Sequence, residues 1–256
     1  MWQTQEVFGS FFLHPIVPVV GVLMYWFLSA PVCIWTRNTF SIEPKGRFMQ
    51  ALVISHSSAL ALYSFWTFVN SVIILNKYMK NKTVMESLCD YDEKLWDVYN
   101  IGFWCTHFYL SKYYEFVDTW ILHLKGREPG ILQTYHHAGI VLCMWAIVVT
   151  KSGSAVVTMV FNSFIHTIMY TYYVFAALGY SSPLKHYLTQ AQMIQLVTGC
   201  SVAVAMAITP GCMSPAEGFS TLVLNLYAFY LIYLFYDFYT KAYKQKSNIV
   251  ADKKKK

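Results

Sequence analysis

Long apolar runs alternate with short polar connections along the whole chain. A helix needs about 20 mostly apolar residues to cross the hydrocarbon core of a bilayer, and seven segments meet that length. Pro15, Pro183, Pro210 and Pro215 lie near segment ends, where helices stop. The pattern therefore predicts an all-α integral membrane protein with seven transmembrane helices. The predicted spans are 15–35, 48–75, 96–123, 131–150, 154–178, 187–208 and 218–240.

The composition agrees with a membrane protein. The chain is 56% hydrophobic and 12% charged, with a mean hydropathy of +0.39, whereas soluble domains carry about 25% charged residues. The start, MWQTQEVFGSFF, lacks the basic stretch and small-residue cleavage site of a secretory signal. Because the connections are short and the composition does not shift, we expect residues 1–256 to form a single polytopic membrane domain.

Basic residues predict the orientation. Seven spans put the termini on opposite sides, and a cytosolic C-terminus places most of the 19 Lys and Arg in inner loops, as the positive-inside rule requires. Residues 241–256 then form a basic cytosolic tail, in which Lys253 and Lys254 resemble a dilysine endoplasmic-reticulum retrieval signal. We attribute the net charge of +6 to this topology and expect no nucleic-acid partner.

Two features of the outer loops are compatible with this topology. Asn81 begins the glycosylation sequon Asn-Lys-Thr in a loop assigned to the outer side. Cys89 and Cys212 are the only cysteines in the outer loops, and an oxidising lumen would allow them to pair. Two free thiols are the alternative.

Ionisable residues occur inside the third predicted span, where each costs about 2.5–3.5 kcal/mol on insertion scales. In LSKYYEFVDTW, Lys112, Glu115 and Asp118 stand at i, i+3 and i+6 and share one broad helix face. Lys112 and Glu115 can neutralise each other, whereas Asp118 needs a further donor. A purely structural ion-pair network is the alternative to a functional site.

Three further spans carry polar stripes at helical spacing. The stripes fall in the predicted cytoplasmic half of the bundle, while the outer halves of the same helices are apolar. This arrangement suits an amphiphile with a water-soluble head and a long hydrocarbon tail. The stripes are Gln133, His136 and His137 in the fourth span, Asn162, His166, Tyr170 and Tyr173 in the fifth, and Thr189, Gln192 and Gln195 in the sixth.

With these residues the chain resembles the ELO family of very-long-chain fatty-acid elongases over nearly its whole length. KYYEFVDT matches the K-x-x-E-x-x-D-T box of the family, HTIMYTYY its H-x-x-M-Y-x-Y-Y box and TQAQMIQ its T-x-x-Q-x-x-Q box. The histidine box departs from the usual H-x-x-H-H because Gln133 occupies its first position. A leading glutamine is similar to the box of some polyunsaturated-acyl elongases.

The resemblance implies a fold and a reaction. The last six of the seven helices would surround a closed-ended acyl tunnel. The protein would condense a long-chain, polyunsaturated acyl-CoA with malonyl-CoA in the endoplasmic reticulum, yielding 3-oxoacyl-CoA, CO2 and CoA. No metal or cofactor besides these substrates is implied. Association with the other enzymes of the elongation cycle, or with a second copy of the chain, stays open.

The same resemblance implies roles for the polar residues. A neutral imidazole accepts an acyl group near pH 7, and His136 is the expected nucleophile that forms an acyl-imidazole. His137 and His166 would then position the enolate of malonyl-CoA. The expected supporting or substrate-binding residues are Gln133, Lys112, Glu115, Asp118, Asn162, Tyr170 and Gln192.

Other chemistries compete with this interpretation. Cys143 follows His136 by seven residues and would lie about 10 Å deeper, too far for the thioester. A membrane di-iron desaturase or hydroxylase needs more clustered histidines, but His14, His56, His123 and His186 are scattered singly. A seven-span transporter is the non-enzyme alternative, although the polar stripes are off-centre and no predicted span is clearly broken.

Overall fold

The computed structural model describes residues 11–180 and 184–244, and these form helices and connecting loops without a strand. A 3₁₀ turn, Met79–Asn81, follows the second helix, and a π-helical turn, Thr240–Lys244, follows the last. Pro183 and the tail beyond Lys244, with Lys253 and Lys254, lie outside the described residues. The α-helices are α1 Ile16–Thr39, α2 Arg47–Tyr78, α3 Val84–Cys89, α4 Lys94–Asp97, α5 Ile101–Tyr114, α6 Phe116–Leu124, α7 Ile131–Val149, α8 Gly153–Ala177, α9 Leu184–Ile208 and α10 Pro215–Tyr239.

Six of the seven predicted spans correspond to one helix each: α1, α2, α7, α8, α9 and α10. Five described helices are long and apolar enough to cross a membrane, namely α1, α2, α7, α9 and α10. Helix α8 has 25 residues, but its polar stripe lowers its hydropathy. The chain is therefore a multi-pass integral membrane protein, as the apolar pattern predicts.

The third predicted span is interrupted, so the prediction of one unbroken helix over 96–123 is wrong. Asn100 adopts a left-handed conformation with φ of 61° just before α5, and Glu115 separates α5 from α6. The N–H of Asp118 bonds to the carbonyl of Glu115, three residues back, at 3.0 Å. This local 3₁₀ bond tightens the backbone at Glu115. The two residues that it joins, Glu115 and Asp118, both carry carboxylates, and these have different partners.

Six helices pack in a closed ring. Helix α2 packs against α8, α8 against α9, α9 against α10, α10 against α7, α7 against α5, and α5 against α2. Helix α1 lies outside this ring against α6 and α7. The polar stripes of α5, α7 and α8 are therefore carried by helices that contact one another, since α8 also touches both α5 and α7.

Helix α3 covers one end of the ring, which we call the capped end. It packs against α8 and α9, and a Cβ on Gly153 would lie 2.2 Å from the carbonyl oxygen of Leu88, so only glycine permits this approach. A disulfide joins Cys89 at the end of α3 to Cys212 in the loop before α10. The capped end is thus held by both close backbone contact and a covalent bond.

Candidate functional site

His136 lies in the second turn of α7 and contacts Tyr227 of α10. Its Nδ1 is 2.9 Å from the Tyr227 hydroxyl, which also donates to the backbone carbonyl of His136 at 3.0 Å. Both residues line the same internal cavity. Tyr227 is not marked in the sequence, because α10 carries no recognisable polar stripe or family box around it.

The next imidazole, His137, has its ring centroid 5.4 Å from that of His136 and points towards α1 and α6, where it lies near Tyr25 and Phe116. The Gln133 amide nitrogen is 2.9 Å from His137 Nε2 and 3.4 Å from the Thr119 hydroxyl. Tyr25 of α1 bonds to that same hydroxyl at 2.9 Å. The Gln133 amide nitrogen therefore lies within hydrogen-bond distance of both His137 and Thr119.

A buried ion pair at the end of α5 is linked to two polar residues of α8. Lys112 Nζ is 2.6 Å from Glu115 Oε1 and donates to the Asn162 side-chain oxygen at 2.9 Å. The Asn162 amide nitrogen is in turn 3.1 Å from His166 Nε2, and His166 Nδ1 is 3.4 Å from Glu115 Oε1. Four of the expected site residues thus form one connected network that holds the His166 ring.

The Asp118 carboxylate needs a hydrogen-bond donor at membrane depth, and two side chains lie within hydrogen-bond distance of it. His56 Nε2 of α2 is 3.0 Å from Asp118 Oδ1, and the Tyr170 hydroxyl donates to Oδ2 at 2.7 Å. From the sequence, His56 was an isolated histidine. Its role in holding Asp118 depends on how α2 packs against α6 and α8, and no motif signals it.

Two candidates lie apart from these networks. The Gln192 amide nitrogen is 3.2 Å from the sulfur of Met169, and no hydrogen bond to a site histidine is found for it among the described residues. Cys143 is buried in the apolar core and is absent from the cavity wall. Of the polar stripe predicted on α9, the residue that lines the cavity is Gln195.

The cavity itself is narrow and mostly apolar, with a volume of about 60 Å³. It lies between α7, α8, α9 and α10, with His136 and Asn162 at one end and Ser154, near the capped end, at the other. Asn162 and Ser154 are eight residues apart on α8, which corresponds to about 12 Å along the helix axis. An imidazole therefore stands at the polar end of a slender apolar slot.

Some polar atoms at the site have no protein partner. Within the described ranges, His137 Nδ1 and Glu115 Oε2 are buried and make no hydrogen bond. Buried polar groups are nearly always hydrogen-bonded in proteins, so these two atoms are unusual, although neither residue lines the cavity. In the same part of the chain, no group of three or more His, Cys, Asp or Glu side chains is placed to hold a metal ion.

Known proteins resemble the chain over most of its length. Fatty acid elongase 1 of Trypanosoma brucei brucei is 34% identical over 197 residues, covering 72% of this chain and 63% of that protein. Fatty acid elongase sre1 of Dictyostelium discoideum is 32% identical over 208 residues, covering 79% and 76%. Very long chain fatty acid elongase 2 of Mus musculus is 28% identical over 252 residues, covering 95% and 82%. The match to the first of these relatives spans less than two thirds of its length.

The family match covers nearly the whole chain. The sequence model of the ELO: GNS1/SUR4 family matches residues 10–251. It includes every box on which the resemblance was based, and so confirms that resemblance. The chain belongs to the ELO (GNS1/SUR4) family.

Proposed function

We propose that this protein catalyses the condensing step of fatty acid elongation, joining a long-chain acyl-CoA to malonyl-CoA. The observation that carries the proposal is the placement of His136 at the polar end of a narrow apolar cavity. The curated relatives are named fatty acid elongases. An apolar slot that ends at an imidazole has the lining that an acyl chain needs when its thioester must reach a nucleophile. A volume of about 60 Å³ holds only a few methylene groups, so the slot must widen to admit a long chain.

In this proposal the acyl chain occupies the cavity and extends from His136 towards Ser154. Helices α5 and α6 together make the third membrane crossing and α8 the fifth, which completes seven crossings. The last six then enclose a tunnel that is closed at the capped end. Long-chain polyunsaturated acyl groups, which the Gln133 box favours, are the proposed substrates.

The first half-reaction transfers the acyl group to His136. An imidazole nitrogen attacks the thioester carbonyl, the new C–N bond forms and the C–S bond breaks. CoA leaves as a thiolate with the electron pair of that bond and takes up a proton. Acyl-imidazoles react readily with water, and a cavity within apolar helices excludes it.

The second half-reaction consumes malonyl-CoA. Loss of CO2 leaves an enolate whose carbon attacks the acyl group, and the C–N electron pair returns to His136. The products are 3-oxoacyl-CoA, CO2 and CoA. His137 and His166 orient and stabilise the enolate oxygen, while the Lys112–Glu115–Asn162 network fixes the His166 ring and Gln133 fixes His137.

The protein works in the endoplasmic-reticulum membrane under this proposal, with its C-terminus in the cytosol. Lys253 and Lys254 then act as the retrieval signal, and both CoA substrates enter from the cytosolic side. Cys89 and Cys212 face the oxidising lumen, where a disulfide is stable.

The direct test measures malonyl-CoA-dependent product formation by the purified protein with a panel of acyl-CoAs. We expect a 3-oxoacyl-CoA two carbons longer than the substrate, and we expect His136→Ala to abolish it. His14→Ala is the matched control, because His14 is exposed and precedes α1. Condensation at the native rate in His136→Ala, or no condensation with any acyl-CoA in the native protein, would contradict the proposal.

A further inference from the structure

We propose that Tyr227 is a positioning residue that holds His136 as the Nδ1–H tautomer, which leaves the lone pair on Nε2 for acyl transfer. The use of that lone pair rests on the proposed function. The tautomer itself does not, because it can be measured without turnover.

The hydrogen count at the Tyr227 hydroxyl carries the argument. This oxygen is 2.9 Å from His136 Nδ1 and 3.0 Å from the His136 carbonyl oxygen, yet a phenol has only one proton to donate. A carbonyl oxygen can only accept, so the hydroxyl proton points to the carbonyl. The contact with Nδ1 is then a hydrogen bond only if Nδ1–H donates to the phenol oxygen.

The opposite tautomer leaves one contact without a proton. If the hydroxyl donated to Nδ1, two oxygen lone pairs would face each other at 3.0 Å across the Tyr227–His136 carbonyl contact. In a buried site such an unmatched polar contact is unfavourable. The arrangement that satisfies both contacts has a single tautomer, with Nδ1 protonated and Nε2 bare.

The fold makes room for Tyr227 at this position. Gly139 lies one turn after His136 on the same helix, and a Cβ there would be 2.3 Å from the Tyr227 ring. Tyr135 stacks on Tyr227 with ring centroids 5.1 Å apart, and its hydroxyl donates to the Tyr227 carbonyl at 3.3 Å. Three positions of α7 therefore fix one tyrosine of α10 against one imidazole.

This tautomer has a chemical consequence for acyl transfer. When Nε2 attacks the thioester carbon, the ring becomes an acyl-imidazolium with its proton still on Nδ1. The Tyr227 oxygen accepts that Nδ1–H bond and stabilises the positive charge as CoA leaves with the C–S electron pair. When the enolate carbon takes the acyl group, the C–N electron pair returns to Nε2 and the starting tautomer is restored.

The first test reads the tautomer by nitrogen NMR of protein labelled with ¹⁵N-histidine, above the pH at which His136 is protonated. Comparison with His136→Ala assigns the His136 signals. We expect a protonated Nδ1 and a bare Nε2 in the native protein, and a shift of the tautomer ratio by about tenfold towards Nε2–H in Tyr227→Phe, the effect of losing one hydrogen bond. A native Nε2–H tautomer, or an unchanged ratio in Tyr227→Phe, would overturn the proposal.

The second test separates positioning from binding by kinetics. Tyr227→Phe is expected to lower kcat for condensation by about tenfold. The KM for acyl-CoA should change little, because the phenol does not contact the far end of the acyl chain. Gly139→Ala should act in the same direction by displacing the ring. Tyr233→Phe, at an exposed position of α10, is the control and should match the native enzyme. Native kcat in Tyr227→Phe would overturn the link between tautomer and catalysis.

The two tests keep this inference separate from the proposed function. If the native protein shows the Nδ1–H tautomer but forms no elongated product, the proposed function fails while the assignment of Tyr227 as the tautomer-setting residue stands. If it elongates acyl-CoA but His136 carries its proton on Nε2, the function stands and the inference fails.

Discussion

At the scale of single residues, the most demanding feature is a fully buried charge pair inside a membrane helix. The Lys112 and Glu115 side chains are only 1% and 2% exposed. Removing two charges from water costs several kcal/mol per ion, which their attraction offsets only when the geometry is good and the remaining hydrogen bonds are made. The Asn162 oxygen on Lys112 supplies one of those bonds, which explains why three polar positions on two helices occur together.

Removing one charge of the Lys112–Glu115 pair should destabilise the protein more than removing both charges. We expect Lys112→Met to lower the free energy of unfolding by about 3–5 kcal/mol, because it leaves the Glu115 carboxylate buried without its cation. The double variant Lys112→Met with Glu115→Leu should recover a large part of that loss. Denaturation midpoints in detergent measure both, and equal destabilisation by the single and double variants would contradict the role of the pair.

Gln133 offers a milder test of the histidine box. Its amide orients His137 through a hydrogen bond to Nε2, and an imidazole N–H at the same position can donate the same bond. Gln133→His should therefore keep condensation within a few fold of native, whereas Gln133→Leu should lower kcat by about tenfold through loss of that bond. Steady-state kinetics on both variants decide this, and native activity in Gln133→Leu would show that the bond is unimportant.

The sequence could locate most of the polar site but not all of it. The histidines and the Lys112–Glu115–Asp118 row were visible because ionisable residues at helical spacing are unusual at membrane depth. Tyr227 and His56 were not visible, since tyrosine and a lone histidine are ordinary in such helices. Their roles arise only from packing that joins positions 91 and 62 residues apart in the chain.

At the scale of helices, the apolar pattern predicted where the long helices begin and end. It did not predict the interruption at Glu115. The segment around Glu115 contains neither glycine nor proline, the residues that mark helix breaks in a sequence. The interruption coincides with tertiary contacts: Glu115 lies 3.4 Å from His166 of α8, and Asp118 is bound by His56 and Tyr170. A local pattern cannot report that two carboxylates three residues apart have separate partners.

Helix α9 provides an element-scale prediction about chain length. Gly199 lines the cavity midway between Gln195 and Ala203, and a Cβ there would meet nothing within 4 Å. Gly199→Leu should fill part of the slot and shorten the longest product by at least one two-carbon cycle, as product chain analysis would show. Gly218→Leu, at another glycine with open space around it outside the cavity wall, should leave product length unchanged. Unaltered products from Gly199→Leu would place the acyl chain elsewhere.

At the scale of the whole molecule, one end of the helix ring is closed by α3 and by the Cys89–Cys212 disulfide. The bond joins positions separated by 123 residues, and a cross-link across so long a loop typically stabilises a fold by about 2–4 kcal/mol. It also holds Leu88 against Val157 and Met206 in a small apolar cluster. Because Val157 lines the cavity too, the closed end and the apolar cavity share a wall.

Loss of the disulfide should therefore affect stability more than chemistry. We expect Cys89→Ser to lower the thermal midpoint in detergent, and Cys212→Ser to do the same by a similar amount, since either change removes one shared bond. Cys33→Ser, which alters a free cysteine of α1, is the control. A native midpoint in both disulfide variants, with the two thiols shown to be bonded in the native protein, would contradict the stabilising role of the cap.

The most direct test of the central claim, acyl transfer through His136, is to trap the acyl-enzyme. Purified protein is incubated with acyl-CoA in the absence of malonyl-CoA, and its peptides are analysed by mass spectrometry while released CoA is counted. The account predicts one acyl group on the peptide that contains His136, with release of up to one CoA per protein and no such adduct in His136→Ala. An acyl group on Cys143, or full condensation without any acyl-enzyme, would contradict it.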